Sequence, residues 1–252
     1  NLATGCIKGF EALVRWRHPE RGLVSPVDFI PVAEETMLIL PLGRQVLAES
    51  CRRLAAWNRS YPERMPISIS VNLSSKQLLD SELTETICGL LAETGCDPAL
   101  VELEITESTL IDNSDAARAL LNSLRDLRIR LSLDDFGTGY SSLSYLHQFP
   151  FDTIKIDRTF IQAMDHSAGR LEIVRAIIAL ARALGKTVVA EGLETLEQVE
   201  RLTDLGCDFG QGFYFARPLD AAAAEAFLIK AAFPSAAERA AGFAAAPDGR
   251  HH

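Results

Sequence analysis

The sequence predicts an α/β fold, a mainly parallel sheet closed into a barrel with its functional site on the carboxyl-end face. Strand-like and helix-like stretches alternate seven times along the 252 residues, the pattern of parallel strands joined by crossover helices. Each strand sets a polar inner row against an apolar outer row. Strands buried on both faces of an ordinary parallel sheet read instead as continuous Val, Ile and Leu. The last polar member of each row lies at the carboxyl end, where barrel enzymes assemble their sites. An open doubly wound sheet gathers its ligand residues at one switch point instead, and neither a Gly-x-Gly-x-x-Gly fingerprint nor a phosphate loop is present.

In chain order, Ile7 to Trp16 alternates and predicts a strand with Glu11 and Arg15 on one face. Ser25-Pro26 opens a helical stretch, with Pro at the first helical position. A helix follows from about Leu42 to Asn58. Ile67 to Leu73 predicts a strand, with Ser68, Ser70 and Asn72 inward and Ile67, Ile69 and Val71 outward. The next helix, Ser75 to Glu93, is stopped by Gly95 and Pro98. Leu100 to Glu107 is a strand, and Ser114 to Leu127 a helix. Thr153 to Asp157 is a short strand, followed by one long helix ending near Leu184-Gly185. Thr187 to Glu191 is a strand with Glu191 at its end. Thr195 and Gln198 form a capping box for a helix to Leu205. Phe209 to Phe215 is the last strand, and Asp220 to Ala232 the last helix.

The central stretch is Ile129 to Leu143. Ile129, Leu131 and Leu133 face one way; Arg130, Ser132 and Asp134 face the other. Asp134 and Asp135 then stand side by side, Gly137 and Gly139 turn the chain, and Ser141-Ser142 caps a short helix. Adjacent carboxylates repel, and one is pushed neutral unless a cation sits between them. By itself this pair reads equally as half a metal site or as a solvated turn.

A hydrophobic content of 48% supplies a sizeable core, and the net charge of −9 disfavours a DNA or RNA groove. It leaves a phosphate ligand open, because bound divalent cations invert the local field. The five cysteines form no Cys-x-x-Cys pair. That argues against a disulfide framework and suits free thiols in a reducing cytoplasm. No apolar run is long enough to span a membrane. The chain starts at Asn1 and is read as a fragment. Residues 1–235 are expected to form one domain, and the Ala-rich residues 236–252 a disordered tail, with His251 and His252 part of a tag.

The strand ends together give Glu11, Asn72, Glu104, Asp134, Asp135, Lys155, Asp157 and Glu191. In a barrel they converge on one mouth, where so many carboxylates cannot all ionise without cations. Oxygen ligands without histidine or thiolate suit Mg2+ or Mn2+, and the number of ligands allows two ions. Lys155 among anions stays protonated and can orient a water or stabilise charge on a phosphate. Plainer roles compete at single positions. Glu102 reads as a solvated residue, Asp157 as a partner of Arg158 or Lys155, and His18, His147 and His166 as surface or packing residues.

Glu11-Ala12-Leu13 with Arg15-Trp16 resembles the signature of bacterial EAL domains, the cyclic di-GMP phosphodiesterases. The resemblance continues through His18-Pro19, Phe29-Ile30-Pro31 with Ala33-Glu34-Glu35, Val71-Asn72-Leu73-Ser74, and Glu104-Ile105-Thr106-Glu107. It goes on through Asp134-Asp135-Phe136-Gly137-Thr138-Gly139-Tyr140, Lys155-Ile156-Asp157, Ala190-Glu191-Gly192 with Glu194, Gln211-Gly212-Phe213 and Arg217-Pro218. It covers roughly residues 9–228, and the ordered set is far more specific than any one motif.

The resemblance implies a (β/α)8-like barrel of the triosephosphate-isomerase type and hydrolysis of cyclic di-GMP to linear pGpG. It implies two divalent cations, Mg2+ or Mn2+. Glu11, Asn72, Glu104 and Asp134 would hold one, and Asp134, Asp135 and Glu191 the other. Lys155 would hold or activate the water, with Glu11, Asp134 and Glu191 sharing the catalytic centre. Arg15, Asp157, Glu194 and Gln211 would serve the substrate, and Glu107 would brace a loop that supports a homodimer. Upstream sensory or cyclase modules are expected in the parent protein.

The chain departs from the family pattern twice. The helix and strand that normally precede the EAL strand are missing, which predicts reduced stability or completion by a neighbouring chain. Met37 stands where the family usually has Gly. The rival readings are a catalytically silent cyclic di-GMP receptor and a metal-dependent phosphodiesterase for another substrate. Silent family members tend to lose metal ligands, and this chain keeps them.

Overall fold

The computed structural model describes residues 1–61, 66–111, 114–137, 149–164 and 168–230. The expected tail, the Ser141-Ser142 cap, His147 and His166 lie outside them. Along the chain run β1 (Gly9–Ala12), β2 (Trp16–His18), β3 (Gly22–Val24), α1 (Pro26–Glu35), α2 (Ile39–Ser60), β4 (Ser68–Asn72), α3 (Ser75–Leu78) and α4 (Leu83–Thr94). After a 3-10 turn come β5 (Val101–Thr106), α5 (Glu107–Ile111), α6 (Ser114–Asp126), β6 (Arg130–Phe136) and β7 (Thr153–Ile156). The remaining elements are α7 (Arg158–Met164), α8 (Ala168–Ala183), β8 (Thr187–Ala190), α9 (Leu196–Asp204), β9 (Phe209–Gly210) and α10 (Ala221–Lys230).

Seven strands form one sheet in the order β1-β4-β5-β6-β7-β8-β9, and every pairing is parallel. The sheet curls. A flat sheet would hold β1 and β9 roughly 29 Å apart at the usual interstrand spacing. Yet Gln211, next after β9, donates to Glu11 of β1 at 2.5 Å. The result is a TIM-like α/β sheet. Among the described residues β1 and β9 each have one strand neighbour, and the chain start lies beside β9, with Leu2 N–H donating to the Asp208 carbonyl at 3.1 Å.

The outer rows make the core. Leu103, Ile105, Leu131, Leu133, Ile154 and Ile156 are buried against Leu121 and Leu124 of α6 and Val174 and Ile178 of α8. A second cluster packs Cys51, Leu54 and Trp57 of α2 on Ile67, Ile69 and Val101. Local signals set the ends of the elements. Pro26 begins α1, both arms of the Thr195–Gln198 capping box are made, and Gly95 ends α4 in the left-handed conformation at φ 66°.

Three expectations about the elements need correction. The strand from Ile7 to Trp16 ends at Ala12, and Trp16–His18 pairs instead with Gly22–Val24 in a small antiparallel hairpin. The helix from Ser75 to Glu93 is two helices: a second capping box, Ser74 with Gln77, starts the single turn α3, which ends at Leu78, and α4 begins at Leu83 after a turn in which Asp80 Oδ1 accepts from Glu82 N–H at 3.0 Å. Of the long helix expected after β7, α7 and α8 are described, and residues 165–167 between them lie outside the described residues. The final strand stops at Gly210. There Gly212 lies so close to Leu193 that a Cβ on it would sit 2.2 Å from the Leu193 carbonyl oxygen. The chain turns at this contact instead of extending, and Phe213, Tyr214 and Phe215 remain exposed.

Candidate metal centre and active-site mouth

The inner rows of β5, β6 and β7 rise in step, with Glu104 beside Ser132 and Thr106 beside Asp134. Strict alternation would send Asp134 and Asp135 to opposite faces. A bulge resolves the conflict. From Leu133 to Phe136 the β6 chain takes three steps while its partner takes two, from Ile154 to Ile156. Asp135 absorbs the extra residue in the left-handed region at φ 53°, a conformation that aspartate tolerates better than most side chains. Asp135 N–H then donates to Asp134 Oδ1 at 3.0 Å. Carboxylate oxygens of Asp134, Asp135 and Glu191 all lie within 4.8 Å of one another.

Lys155 stands at the centre of the inner face. Its Nζ lies 2.6 Å from Glu191 Oε1, 2.8 Å from Glu104 Oε2 and 3.3 Å from Asp134 Oδ1. It is 3% exposed, as is Glu104, so these charges interact in a medium of low polarity. Burial works against the Lys155 charge, but Glu104, Glu191, Glu11 and Asp134 outweigh it and hold its pKa well above the usual value. Burial pushes the Glu104 carboxyl up to about 8 against the pull of Lys155, with Glu11 and Asp134 adding to the rise. Burial likewise lifts Glu191 to about 7, and burial and the Asp134 charge raise Asp135.

Glu11 is held on both sides. Asn72 Nδ2 donates to its Oε1 at 2.7 Å and Gln211 Nε2 to its Oε2 at 2.5 Å. The structure therefore brings Glu11, Asn72, Glu104, Asp134, Asp135, Lys155, Glu191 and Gln211 to one place. A cavity of about 1550 Å3 runs along the inner face of the sheet, from Lys8, Ser68, Thr153 and Thr187 at the strand starts up to Glu11, Arg15, Trp16, Glu104, Lys155 and Gln211. Trp16 meets Phe29 edge-on at 5.8 Å, and the Arg217 guanidinium lies 4.7 Å from the Phe213 ring centre, so both aromatics at the cavity wall are braced.

Other residues sit differently. Asp157 caps α7, its Oδ1 accepting from Thr159 N–H at 3.0 Å and from Thr159 Oγ1 at 2.5 Å. Glu194 is exposed, and its backbone N–H donates to Gln198 at 2.8 Å. Arg15 is exposed and donates to the Val14 carbonyl at 2.8 Å. Glu107 Oε2 accepts from Gly137 N–H at 3.3 Å, directly after the Asp134–Asp135 strand. His18 Nδ1 accepts two turn N–H groups, from Glu20 and Arg21. Glu102 is not solvated. It lies one inner step below Glu104, 9% exposed, paired with Arg130 at 3.4 Å, because the β5–β6 register places those two residues side by side.

The donor set fits hard divalent cations. It is oxygen throughout, and three buried or half-buried carboxylates, Glu104, Asp134 and Glu191, pair with one ammonium while Asp135 and Glu11 stand beside them, an excess of negative charge that bound cations would relieve.

Fold and site together define an α/β barrel-type protein with an acidic mouth at the carboxyl ends of its strands, whose donors suit divalent cations. The sequence profile of the EAL domain matches residues 1–218, and the chain belongs to this family. It is 41% identical over 221 residues to the protein named cyclic di-GMP phosphodiesterase PdeR of Escherichia coli, covering 88% of this chain and 33% of that one. It is 43% identical over 217 residues to the Pseudomonas aeruginosa protein named bifunctional diguanylate cyclase/cyclic di-GMP phosphodiesterase MucR, covering 86% and 31%. A solved structure titled PaMucR phosphodiesterase, c-di-GMP complex, superposes with a TM-score of 0.83 at 42% identity, covering 87% of this chain and 88% of that one. The chain thus spans about a third of the length of these two curated relatives. No helix among the described residues is long and apolar enough to cross a membrane.

Proposed function

We propose that this domain hydrolyses cyclic di-GMP to linear pGpG with two divalent cations, Mg2+ or Mn2+. The observation that carries the reading is the carboxylate ring around Lys155, reached by the cavity that Arg15, Trp16 and Gln211 help to line. The names of the relatives support the substrate. In this reading Glu11, Asn72, Glu104 and Asp134 hold one cation, and Asp134, Asp135 and Glu191 hold the other. When bound, the cations would supply Lewis acidity toward the phosphate and would lower the pKa of a bound water.

The residues do the rest. Gln211 and Asn72 fix both oxygens of Glu11. Lys155 stays protonated, spaces Glu104, Asp134 and Glu191, and holds a water or steadies charge on the phosphate. Arg15 at the cavity wall meets phosphate, and Glu194 and the braced aromatics shape the nucleotide end. Asp157 sets the turn after β7, and Glu107 holds the loop after β6, which serves a homodimer. Regulation by attached sensory or cyclase modules and a cytoplasmic setting belong to the same reading.

Chromatographic analysis of products with Mg2+ or Mn2+ tests it, beside Asp134→Asn. Linear pGpG from the parent and none from the variant is the expected result. Intact nucleotide with binding retained would replace the enzyme with a silent receptor.

A further inference from the structure

One motif plays no part in the carboxylate ring: His18-Pro19, in the turn of the β2–β3 hairpin. Each strand of that hairpin is three residues long and mostly exposed, and a two-stranded ribbon of this size is marginal by itself. Pro19 has no N–H to give. The next two N–H groups, of Glu20 and Arg21, both donate to His18 Nδ1, at 3.1 and 3.2 Å, so the ring carries its proton on Nε2. His18 pairs with Gly22 and Trp16 with Val24. The turn at one end of the hairpin therefore fixes the strand that carries the indole. Two residues apart, His18 and Trp16 share a face, and their rings meet edge-on with centres 5.1 Å apart. Trp16 in turn meets Phe29 of α1 and lines the cavity, with 43% of its surface exposed.

We propose that His18 is a positioning residue for substrate binding, closing the β2–β3 turn through Nδ1 and holding the Trp16 indole at the cavity wall by ring contact. The proposal rests on the hydrolysis of cyclic di-GMP proposed for this domain. A cyclic dinucleotide presents flat aromatic bases, and an indole already held in one orientation receives such a ligand without first being ordered. His18 is not among the residues that line the cavity, so it acts through Trp16 and not on the substrate. Without the imidazole, two turn N–H groups lose their acceptor and Trp16 keeps Phe29 as its ring neighbour on one side. The indole is then ordered only when substrate binds, which weakens binding and leaves the chemical step at Lys155 and the carboxylates alone.

Fluorine NMR and steady-state kinetics test it together. The chain has two tryptophans, Trp16 at the cavity wall and Trp57 buried in the second core cluster. With fluorotryptophan at both, His18→Ala is expected to shift or broaden the Trp16 signal, assigned with Trp16→Phe, and to leave the Trp57 signal in place. With cyclic di-GMP and Mn2+, His18→Ala should raise KM about tenfold and keep kcat within about twofold of the parent. His18→Asn, which restores an acceptor without the ring, should give a KM between the two. An unmoved Trp16 signal, an unchanged KM, or a His18→Asn no better than His18→Ala overturns the proposal. Displacement of both tryptophan signals also overturns it, since His18 would then serve general stability. A parent that leaves cyclic di-GMP intact would sink the hydrolysis instead, and the fluorine comparison still decides whether His18 holds Trp16.

Discussion

Lys155 shows how one side chain organises a site. It faces three carboxylates within 3.3 Å, and a neutral replacement leaves like charges buried together without a counterion. Lys155→Met is expected to lower the rate of pGpG formation by about 100-fold or more, measured as kcat with saturating Mn2+. A change of less than threefold would remove Lys155 from the proposed chemistry. Met37 makes the opposite case, a cost without a visible partner. It sits at φ 60° and is 48% exposed, and the left-handed region costs a side chain about 1–2 kcal/mol. Glycine relieves that cost and gives back part of it through unfolded-chain entropy. Met37→Gly should therefore raise Tm by about 2 °C in a thermal melt, and a fall would contradict the strain assigned here. Most single residues of the site were legible from residue type at a strand end. The bond from Gln211 to Glu11 was not, because it joins positions 200 residues apart. The burial of Glu102 depended on a register that one strand does not reveal.

The elements that read most clearly were those with alternation on both sides of a strand. On β4 to β7 the apolar rows became the core and the polar rows the barrel interior. The bulge on β6 was invisible in sequence, since a pattern of period two contains no extra residue until its partner strand is known. The last strand was misread because its aromatics look like a packed strand. What ends it is the contact of Gly212 with Leu193. Gly212→Ala should cost about 2–3 kcal/mol, read as a lowered urea midpoint, and should displace Gln211 so that activity falls with it. An unchanged midpoint would refute the close contact. In the core, Leu103 of β5 has no exposed surface, so Leu103→Ala should cost about 2–5 kcal/mol by the same measurement.

Across the whole molecule, the curl of seven parallel strands concentrates negative charge at one end of a chain whose net charge is already −9. Folding then works against electrostatics at the mouth, and cations bound only to the folded state would offset it. Mn2+ at about 100 times its Kd should stabilise the protein by about 2.7 kcal/mol, seen as a rise in Tm that a chelator reverses. The barrel class was readable because the polar inner rows recur on strand after strand, which a two-faced open sheet does not need. The way the first and last strands approach each other was not, because that closeness is a property of the accumulated twist and not of any segment. The central claim is that the carboxylates around Lys155 hold two cations. Equilibrium dialysis of the chain against Mn2+, beside Asp134→Asn, measures this directly. The account predicts two ions bound per chain and fewer in the variant; one ion or none in the parent, with no difference from the variant, would contradict it.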